Sequence, residues 1–489
     1  MSEIPSSQST DATLSETDRT NADQPPRRRG LPLIGSTLSI ARDPLGYLES
    51  ASEYGDVVAY EAFGTEFALV FDPDAVESVL VSRSDQFRKG EFETNFGDLI
   101  APGGIAFTEG EQWRRQRRLL QSSFTPDRIR SFAGKMATEA AALVDGWDDG
   151  ETIVLQDALS TYTLRVLSRT LFDLKREAPR SSAPASGDLP RALEDDRAET
   201  VRRAATALDN YASPGRLALG SIVPSWVPDR AEREYEAAMA DLEALVADLV
   251  AQRRSVDDGG DDLLSLLARA EYPDGSRLSP AEVRDQLVTF LFAGHETTAT
   301  TLTFACWLLA GDSAVQTALE RELEAVCGDR EPTFTDCDAL VYTEAVVREA
   351  MRLYPPVVGL YREPRRGTTL AGYRIPAGTT LQLSVYGIQR DGRWWSAPET
   401  FRPERWLTGG DDDSGRTLEP AGDRPEYAYF PFGGGPRHCL GMRFAMTELQ
   451  LALATIVHHV EFDRVTETLE PSLGVTLDPG PLEVRVRLR

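Results

Sequence analysis

The stretch Phe432-Gly-Gly-Gly-Pro-Arg-His-Cys-Leu-Gly441 decides how the rest of the chain is interpreted. Its glycines allow the backbone to approach a flat group closely. The apolar positions from Leu440 onward predict a helix, so a thiolate at Cys439 would lie at a helix N-terminus. There the helix dipole and the free backbone N–H groups favour negative charge. Arg437, two residues earlier, supplies a cation for an anionic group.

A long helix is predicted from Ser279 to about residue 311. Ser279 fits the N-cap, Pro280 the first helical position, and Glu282 completes a Ser-x-x-Glu capping box. The centre of this helix reads Phe290-Leu-Phe-Ala-Gly-His-Glu-Thr-Thr298. Polar groups at the centre of a long helix indicate either a cavity wall or a face bonded to neighbouring segments. The helix alone does not decide between them.

The glycine-rich segment resembles the Phe-x-x-Gly-x-Arg-x-Cys-x-Gly signature of the cytochrome P450 family. It matches the signature at every specified position, namely Phe432, Gly435, Arg437, Cys439 and Gly441. Four further segments resemble family motifs in the family's order, namely Trp113-Arg-Arg-Gln-Arg117, Ala293-Gly-His-Glu-Thr297, Glu349-Ala-Met-Arg352 and Phe401-Arg-Pro-Glu-Arg405. The match runs from about Leu31 to the C-terminus, and the chain is identified as a member of this family.

The resemblance implies a mainly α fold with small β-sheets (α+β), the cytochrome P450 fold. Haem b would lie between the long helix and the glycine-rich segment Phe432–Gly441, called the Cys loop below. Strand-like runs at residues 57–60 and 67–71 precede the largely helical part. We expect a disordered polar tail over residues 1–30 and a single haem domain over residues 31–489. Residues 177–190 and 408–425 are predicted loops because they are rich in Ala, Pro and Ser or in Gly and Asp.

The resemblance also implies the site residues. Cofactor binding would fall to Trp113, Arg117, Arg362, Phe432, Gly435, Arg437, Cys439 and Gly441, with Cys439 as the axial ligand of the haem iron and the three arginines on the propionates. Glu296 and Thr297 would deliver protons during catalysis. A buried charge triad, with a structural role, would consist of Glu349, Arg352 and Arg405.

A thiolate ligand favours O–O cleavage over simple oxygen carriage. The resemblance therefore implies a monooxygenase that inserts one atom of O2 into a lipophilic substrate of the fatty acid, terpenoid or carotenoid class. Apolar residues 92–105, 290–295 and 357–360 are the candidate pocket segments. Peroxide-driven, dehydratase and isomerase members would normally lack the Glu296–Thr297 pair. The alternative from another class is a haem-based sensor or gas-binding protein without turnover.

Electrons would come from a separate donor, a ferredoxin with its reductase. A basic patch around residues 114–118 would dock an acidic donor; alternatively, its arginines balance neighbouring acids. The patch consists of Arg114, Arg115 and Arg118.

The composition narrows the partners and the environment. The 489 residues include 78 acidic and 52 basic residues, a net charge of −26 that disfavours nucleic acid. Lysines occur only at positions 89, 135 and 175, and this Lys-poor, acidic surface indicates adaptation to high salt. A GC-rich genome would explain the lysine deficit but not the acid excess.

The compartment follows from cysteine usage and hydropathy. The four cysteines lack paired spacing, and no segment has the apolar run of a signal peptide or membrane helix. A cytoplasmic protein is expected, with loose membrane contact near residues 31–38 left open.

Overall fold

The structure, a computed structural model, describes residues 23–32, 34–171, 192–211, 230–255, 262–272, 274–409, 417–418 and 423–489. The predicted loop at 177–190 lies outside these ranges. The helices are α1 Thr37–Arg42, α2 Pro44–Ser52, α3 Pro73–Glu77, α4 Glu91–Ile100, α5 Gly110–Leu120, α6 Pro126–Val144, α7 Leu155–Leu171, α8 Ala192–Tyr211, α9 Arg230–Ser255, α10 Leu263–Arg269, α11 Pro280–Leu309, α12 Ser313–Val326, α13 Val341–Leu353, α14 Val385–Gln389 and α15 Met442–His459. The strands are β1 Val57–Ala62, β2 Thr65–Val70, β3 Phe87–Arg88, β4 Thr152–Val154, β5 Gly359–Pro364, β6 Thr368–Leu370, β7 Tyr373–Ile375, β8 Thr380–Ser384, β9 Leu407–Thr408, β10 Thr417–Leu418, β11 Val460–Arg464, β12 Ser472–Leu473, β13 Leu477–Asp478 and β14 Glu483–Leu488. The predicted mainly α fold with small sheets is therefore confirmed.

The largest sheet has the strand order β1-β2-β8-β5-β3. Its first two strands contain the two runs that the sequence predicted. β2 pairs with β8 in parallel and β5 pairs with β8 antiparallel, which brings Arg362 of β5 opposite Leu381 of β8. The buried apolar side chains of β1 and β2 form one of the hydrophobic cores together with residues of α2 and α3.

Residues 23–30 follow the edge of this sheet. The backbone N–H of Arg28 donates to the carbonyl of Ala59 at 2.9 Å, and the N–H of Ala59 donates to the carbonyl of Pro26 at 2.9 Å. The Arg28 guanidinium also lies 4.0 Å from the centre of the Tyr47 ring. The folded part that the structure describes thus begins ahead of Leu31, where the sequence suggested the boundary, while residues 1–22 lie outside the described ranges.

Helix α11 spans the molecule and has the predicted N-terminus. The Ser279 hydroxyl accepts a hydrogen bond from the N–H of Glu282 at 3.2 Å, and the Glu282 carboxylate accepts one from the N–H of Ser279 at 2.8 Å. Residues 283–291 of α11 belong to a core shared with α8, α9 and α10. Residues 302–309 belong to a second core with α6, α7, α13 and α15. The segment with the polar residues lies between the two cores.

The buried triad joins α13 to the segment before the Cys loop. Arg352 donates two hydrogen bonds of 2.9 Å to the Glu349 carboxylate, and Arg405 Nε donates to the same carboxylate at 2.8 Å. The indole of Trp406 adds a fourth hydrogen bond, of 2.9 Å. All these donors are needed because the Glu349 side chain has no contact with solvent.

The Gly- and Asp-rich loop contains a short β-pair. Within its described residues, Leu407 pairs with Leu418 and Thr408 with Thr417 in an antiparallel arrangement. None of the helices in the described ranges combines the length and the apolar character needed to cross a bilayer.

Candidate cofactor site

The Cys loop is held in shape by its own backbone. The N–H of Cys439 donates to the carbonyl of Phe432 at 2.9 Å, and the N–H of His438 donates to the carbonyl of Gly435 at 3.2 Å. Gly435 has a φ of +61°, and a Cβ there would lie 1.9 Å from the carbonyl oxygen of Leu80. Only glycine fits this position. The loop leads directly into α15, so that Cys439 precedes the helix N-terminus.

The surroundings of the Cys439 thiol act on its pKa in two directions. The side chain is exposed, yet protein atoms enclose it closely enough that desolvation raises its pKa. Hydrogen bonds from the backbone N–H groups of Gly441 and Met442, and the positive charge of Arg117, act in the opposite direction. These groups are the partners that an anionic sulfur would need, and metal coordination deprotonates a thiol outright.

The middle of α11 borders open space on one side. Ala293 is exposed and Thr297 is half-buried, although both lie between buried turns of the helix. The Thr297 hydroxyl donates to the carbonyl of Ala293 at 2.6 Å. On the opposite side of the helix, the His295 ring contacts hydroxyls of α7. The sequence left open whether this segment is a cavity wall or a face bonded to neighbouring segments. Both interpretations therefore apply, to opposite sides of the same helix.

An aromatic contact connects α11 with the Cys loop. The Phe124 ring lies 5.4 Å from the ring of Phe290 on α11. Phe124 is also the nearest neighbour of the Cβ position of Gly441, at 4.0 Å. The open side of α11 and the enclosed thiol are thus parts of one region.

Several positively charged side chains lie beside this region. Arg437 donates to the carbonyl of Thr108 at 2.7 Å and to the Glu109 carboxylate at 3.2 Å, and it lies 4.5 Å from the centre of the Trp113 ring. Burial lowers the pKa of Arg437 to about 10, and the nearby charges of Arg362 and Arg117 act in the same direction. A nearby anion would favour the charged form of this guanidinium.

Lys89 is a further cation of this cluster, and the sequence did not identify it. Its ammonium lies 2.6 Å from the Glu93 carboxylate, which is also 3.8 Å from Arg362. Burial lowers the pKa of Lys89, and Arg362 and Arg437 lower it further. The signal that could have pointed to Lys89 is the rarity of lysine in this chain. Lys89 and Arg362 lie beside Glu93, Arg437 and Arg365 pair with Glu109, and Arg117 lies against His438. The cations thus outnumber the carboxylates, an excess of positive charge that suits an anionic group.

Trp113 and Arg117 reach the Cys loop from α5, four positions apart on one face as their spacing predicts. Trp113 stacks under Arg437, whereas Arg117 donates to the carbonyl of His438 at 2.9 Å and contacts its ring. The structure therefore brings together the residues that the resemblance named on α5 and in the loop.

The two acid–base residues of the α11 motif differ in their surroundings. His295 is buried against α7, with its ring nitrogens 3.2 Å from the Ser160 hydroxyl and 2.9 Å from the Thr163 hydroxyl. Burial lowers its pKa to about 4, so it is a neutral residue of helix packing. Glu296 is half-buried, desolvation raises the pKa of its carboxyl, and its Oε2 has no hydrogen-bond partner.

Aromatic rings line the predicted pocket segments. Phe96 lies 6.1 Å from Phe107 and 6.4 Å from Phe292 of α11, while Phe92 lies 4.9 Å from Tyr361 of β5. A small cavity of about 20 Å³ lies between α8, α9 and α11, next to Phe292 and Glu296. The segments 92–105 and 290–295 therefore meet in space, whereas Tyr361 follows directly after the third segment, 357–360.

Comparisons with known proteins agree with this geometry. The family model described as Cytochrome P450 matches residues 25–486. The chain is 33% identical to cyclooctat-9-en-7-ol 5-monooxygenase of Streptomyces melanosporofaciens, over 87% of this chain and 86% of that protein. It is 30% identical to pentalenene oxygenase of Streptomyces avermitilis, over 94% of this chain and 96% of that protein.

Among solved structures, the retinoic acid-bound cyanobacterial CYP120A1 superposes with a TM-score of 0.79 at 23% identity, covering 96% of this chain and 100% of that one. This likeness concerns the fold. The family model, which matches nearly the whole chain, and the relatives identify the chain as a monooxygenase of the cytochrome P450 family.

Proposed function

We propose that the chain binds haem b through Cys439 and inserts one atom of O2 into a terpenoid. The observation that carries the proposal is the surplus of half-buried cations beside Cys439 and the open side of α11. When bound, a haem with a thiolate ligand supplies dioxygen binding and O–O cleavage. The chain's own residues hold the cofactor, exclude water and deliver protons.

Four cations would bind the two propionates. Arg362 and Arg437 come from β5 and the Cys loop, Arg117 from α5, and Lys89 from the segment between β3 and α4. Because burial lowers the pKa of Lys89 and of Arg437, the arrival of two carboxylates would stabilise the charged forms of both residues.

The remaining cofactor residues would shape the loop rather than carry charge. Phe432 and Gly435 accept the backbone hydrogen bonds that orient Cys439, and Gly441 directs its N–H toward the sulfur. Trp113 would hold Arg437 in position through its ring.

Glu296 and Thr297 would move protons. The Thr297 hydroxyl uses its hydrogen on the Ala293 carbonyl, and its lone pairs remain available to accept a hydrogen bond on the open side of the helix. Because burial raises the pKa of Glu296, this carboxyl would exchange protons closer to neutral pH than an exposed glutamate does.

The terpenoid class is favoured over the fatty acid and carotenoid classes for two reasons. The names of the relatives in Streptomyces refer to cyclooctat-9-en-7-ol and to pentalenene. In addition, Phe96 packs against Phe292 of α11, and such rigid apolar rings suit a compact hydrocarbon skeleton.

A ferredoxin-type donor would deliver the electrons in the cytoplasm. In the proposed docking patch, Arg114 and Arg118 contact Glu111, and Arg115 lies 2.9 Å from Asp274. These three side chains are 64%, 61% and 37% exposed. Exposed ion pairs are weak, so the arginines could exchange their present partners for carboxylates of the donor.

An optical titration of purified protein tests the proposal. We expect the reduced carbonyl complex to carry the thiolate signature, and a cyclic terpene to cause a saturable low- to high-spin shift that a long-chain fatty acid does not. A shift with the fatty acid or with a carotenoid alone would overturn the terpenoid assignment. Electron consumption that does not depend on any of these substrates would favour a sensor or gas-binding protein.

A variant at Thr297 tests the proton assignment. Thr297→Ala should divert electrons to peroxide, because the hydroxyl on the open side of α11 is lost. Thr138→Ala on α6 is the matched control, since the Thr138 hydroxyl makes the same kind of bond, to the carbonyl of Gly134 at 2.7 Å. Equal coupling of electrons to product in the two variants would contradict the assignment.

A further inference from the structure

The carboxyl of Glu296 lies beside a residue from a distant part of the chain. Thr476 is 4% exposed, and its hydroxyl is close enough to lower the pKa of Glu296. The geometry does not complete a hydrogen bond, because neither Glu296 Oε2 nor Thr476 Oγ1 has a partner. Two buried polar atoms without partners thus face each other, and such atoms are rare away from functional sites.

Thr476 is held in this position by a short hairpin. Strands β12 and β13 pair Ser472 with Asp478 and Leu473 with Leu477. The N–H of Gly474 donates to the carbonyl of Thr476 at 2.8 Å, and the N–H of Leu477 donates to the carbonyl of Pro356 at 2.9 Å. These bonds fix the hairpin tip next to α11.

The hairpin also leads to solvent. Asp478 is exposed and accepts a hydrogen bond of 2.9 Å from the N–H of Gly480. Its negative charge raises the pKa of Glu296. Going from Glu296 toward solvent, the hairpin therefore provides first the hydroxyl of Thr476 and then the exposed carboxylate of Asp478.

The other described neighbours of Glu296 do not offer such a path. α8 and α9 contribute apolar side chains to the adjoining cavity, including Leu208 and Leu242. On α11, His295 is neutral, and both its ring nitrogens already contact hydroxyls of α7.

We propose that Thr476 and Asp478 form the route by which protons from solvent reach Glu296. The route rests on the proposed function, in which substrate, O2, two electrons and two protons give the oxygenated product and water. The electrons come from the donor protein. Glu296 passes a proton toward Thr297 and regains one through the Thr476 hydroxyl, which is resupplied from solvent at Asp478. Thr476 is thus a proton-relay residue for the reaction.

The test compares Thr476→Val and Asp478→Asn in the haem-loaded enzyme. The first readout is the pKa of Glu296, measured by infrared difference titration with isotope-labelled glutamate and assigned with Glu296→Gln. We expect Thr476→Val to raise this pKa, because the hydroxyl lowers it. We expect Asp478→Asn to reduce it, because the carboxylate raises it.

The second readout is the fraction of electrons recovered in product, with its solvent isotope effect. In Thr476→Val we expect this fraction to fall by roughly tenfold, less than the full contribution of a positioned acid or base. Thr455→Val is the matched control, because Thr455 is also a buried threonine whose hydroxyl lacks a partner. Thr476→Ser keeps the hydroxyl and should behave as the wild type.

Two results would overturn the route. One is a pKa of Glu296 that neither variant moves. The other is coupling in Thr476→Val equal to that of Thr455→Val. Failure of the proposed function can be told apart from failure of the route. In that case Glu296→Gln and Thr297→Ala would also leave the fraction of electrons recovered in product unchanged. If Thr476→Val does not fold, the pKa shift in Asp478→Asn and the coupling of Thr476→Ser still decide.

Discussion

Arg352→Ala is expected to destabilise the protein and to prevent it from retaining haem. In the structure, the guanidinium of Arg352 is fully buried and donates two hydrogen bonds to Glu349. It also donates to the carbonyls of Gln389 at 2.9 Å and Pro398 at 2.8 Å, and to that of Thr400 at 3.3 Å. Truncation removes all five bonds without giving water access to the acceptors they leave.

The expected loss of unfolding free energy depends on the hydrogen bonds that remain in the variant. The Glu349 carboxylate keeps Arg405 and Trp406, so it is not left as an isolated charge. The Thr400 carbonyl keeps a donor in Arg405, at 3.2 Å. Breaking a buried ion pair costs about 3–5 kcal/mol, and the remaining partners place Arg352→Ala near the lower end, at about 3 kcal/mol.

Loss of haem follows from the position of Gln389. Its amide donates to the carbonyls of Met351 at 2.9 Å and Arg352 at 3.3 Å, and its oxygen accepts from the N–H of Phe430 at 3.2 Å. Phe430 lies two residues before the first residue of the Cys loop. When Arg352 no longer holds the Gln389 carbonyl, the chain leading to Cys439 loses its support.

Urea unfolding followed by tryptophan fluorescence, together with the haem content on purification, measures both effects. The matched control is Arg348→Ala on the same helix, because Arg348 pairs with Glu344 but its side chain is 31% exposed. That variant should lose only about 0.2–1 kcal/mol and keep its haem. A haem-loaded Arg352→Ala protein as stable as Arg348→Ala would refute the reasoning.

Three further predictions concern docking, pH and salt. Reversing the charge of Arg114 and Arg115 should slow reduction by a ferredoxin-type donor and leave the haem spectrum unchanged, because the docking patch loses its complementarity; stopped-flow reduction at the wild-type rate would count against it. Because burial lowers the folded-state pKa of His295 from 6.5 to about 4, the unfolded state binds more protons between these values. Unfolding free energy should therefore fall with pH below about 6.5, by up to about 1.4 kcal/mol per pH unit from this residue, and a similar slope in urea titrations of His295→Gln would show that another group is responsible. With a net charge of −26, the Tm should rise between low and molar KCl, and a Tm that is flat or falls in scanning calorimetry contradicts salt adaptation.

Local sequence signals predicted the fold well. The capping box at Ser279 and Glu282 gave the start of α11, and the two apolar runs gave β1 and β2. These signals are local because a cap or a strand pattern is complete within a few residues. The order of the motifs then predicted which distant segments approach the Cys loop.

Contacts between distant segments were not predictable in the same way. Lys89 gave no signal of its own beyond the rarity of lysine, because its partner Glu93 reads as an ordinary i,i+4 surface pair. The sequence left open whether Arg115 belongs to a docking patch or balances an acid, and it could not point to Asp274, which the fold brings to Arg115 from 159 residues away. Thr476 lies in a hairpin whose strands have two residues each, too short for any periodicity.

The charge distribution explains why the site needs an anionic occupant. The chain carries far more acid than base, yet around Cys439 the balance is reversed, with Lys89, Arg362 and Arg437 buried together. Burial is the main reason why the pKa of Lys89 and that of Arg437 are lowered, and repulsion from the neighbouring cations adds to it. A dianionic cofactor would relieve this repulsion, so that binding stabilises the fold by mass action. Haem with free propionates should therefore raise the Tm more than its dimethyl ester does, and the difference should shrink in Lys89→Met, which removes one of the cations that repel each other. An equal Tm with both cofactors would mean that the cations serve the fold alone.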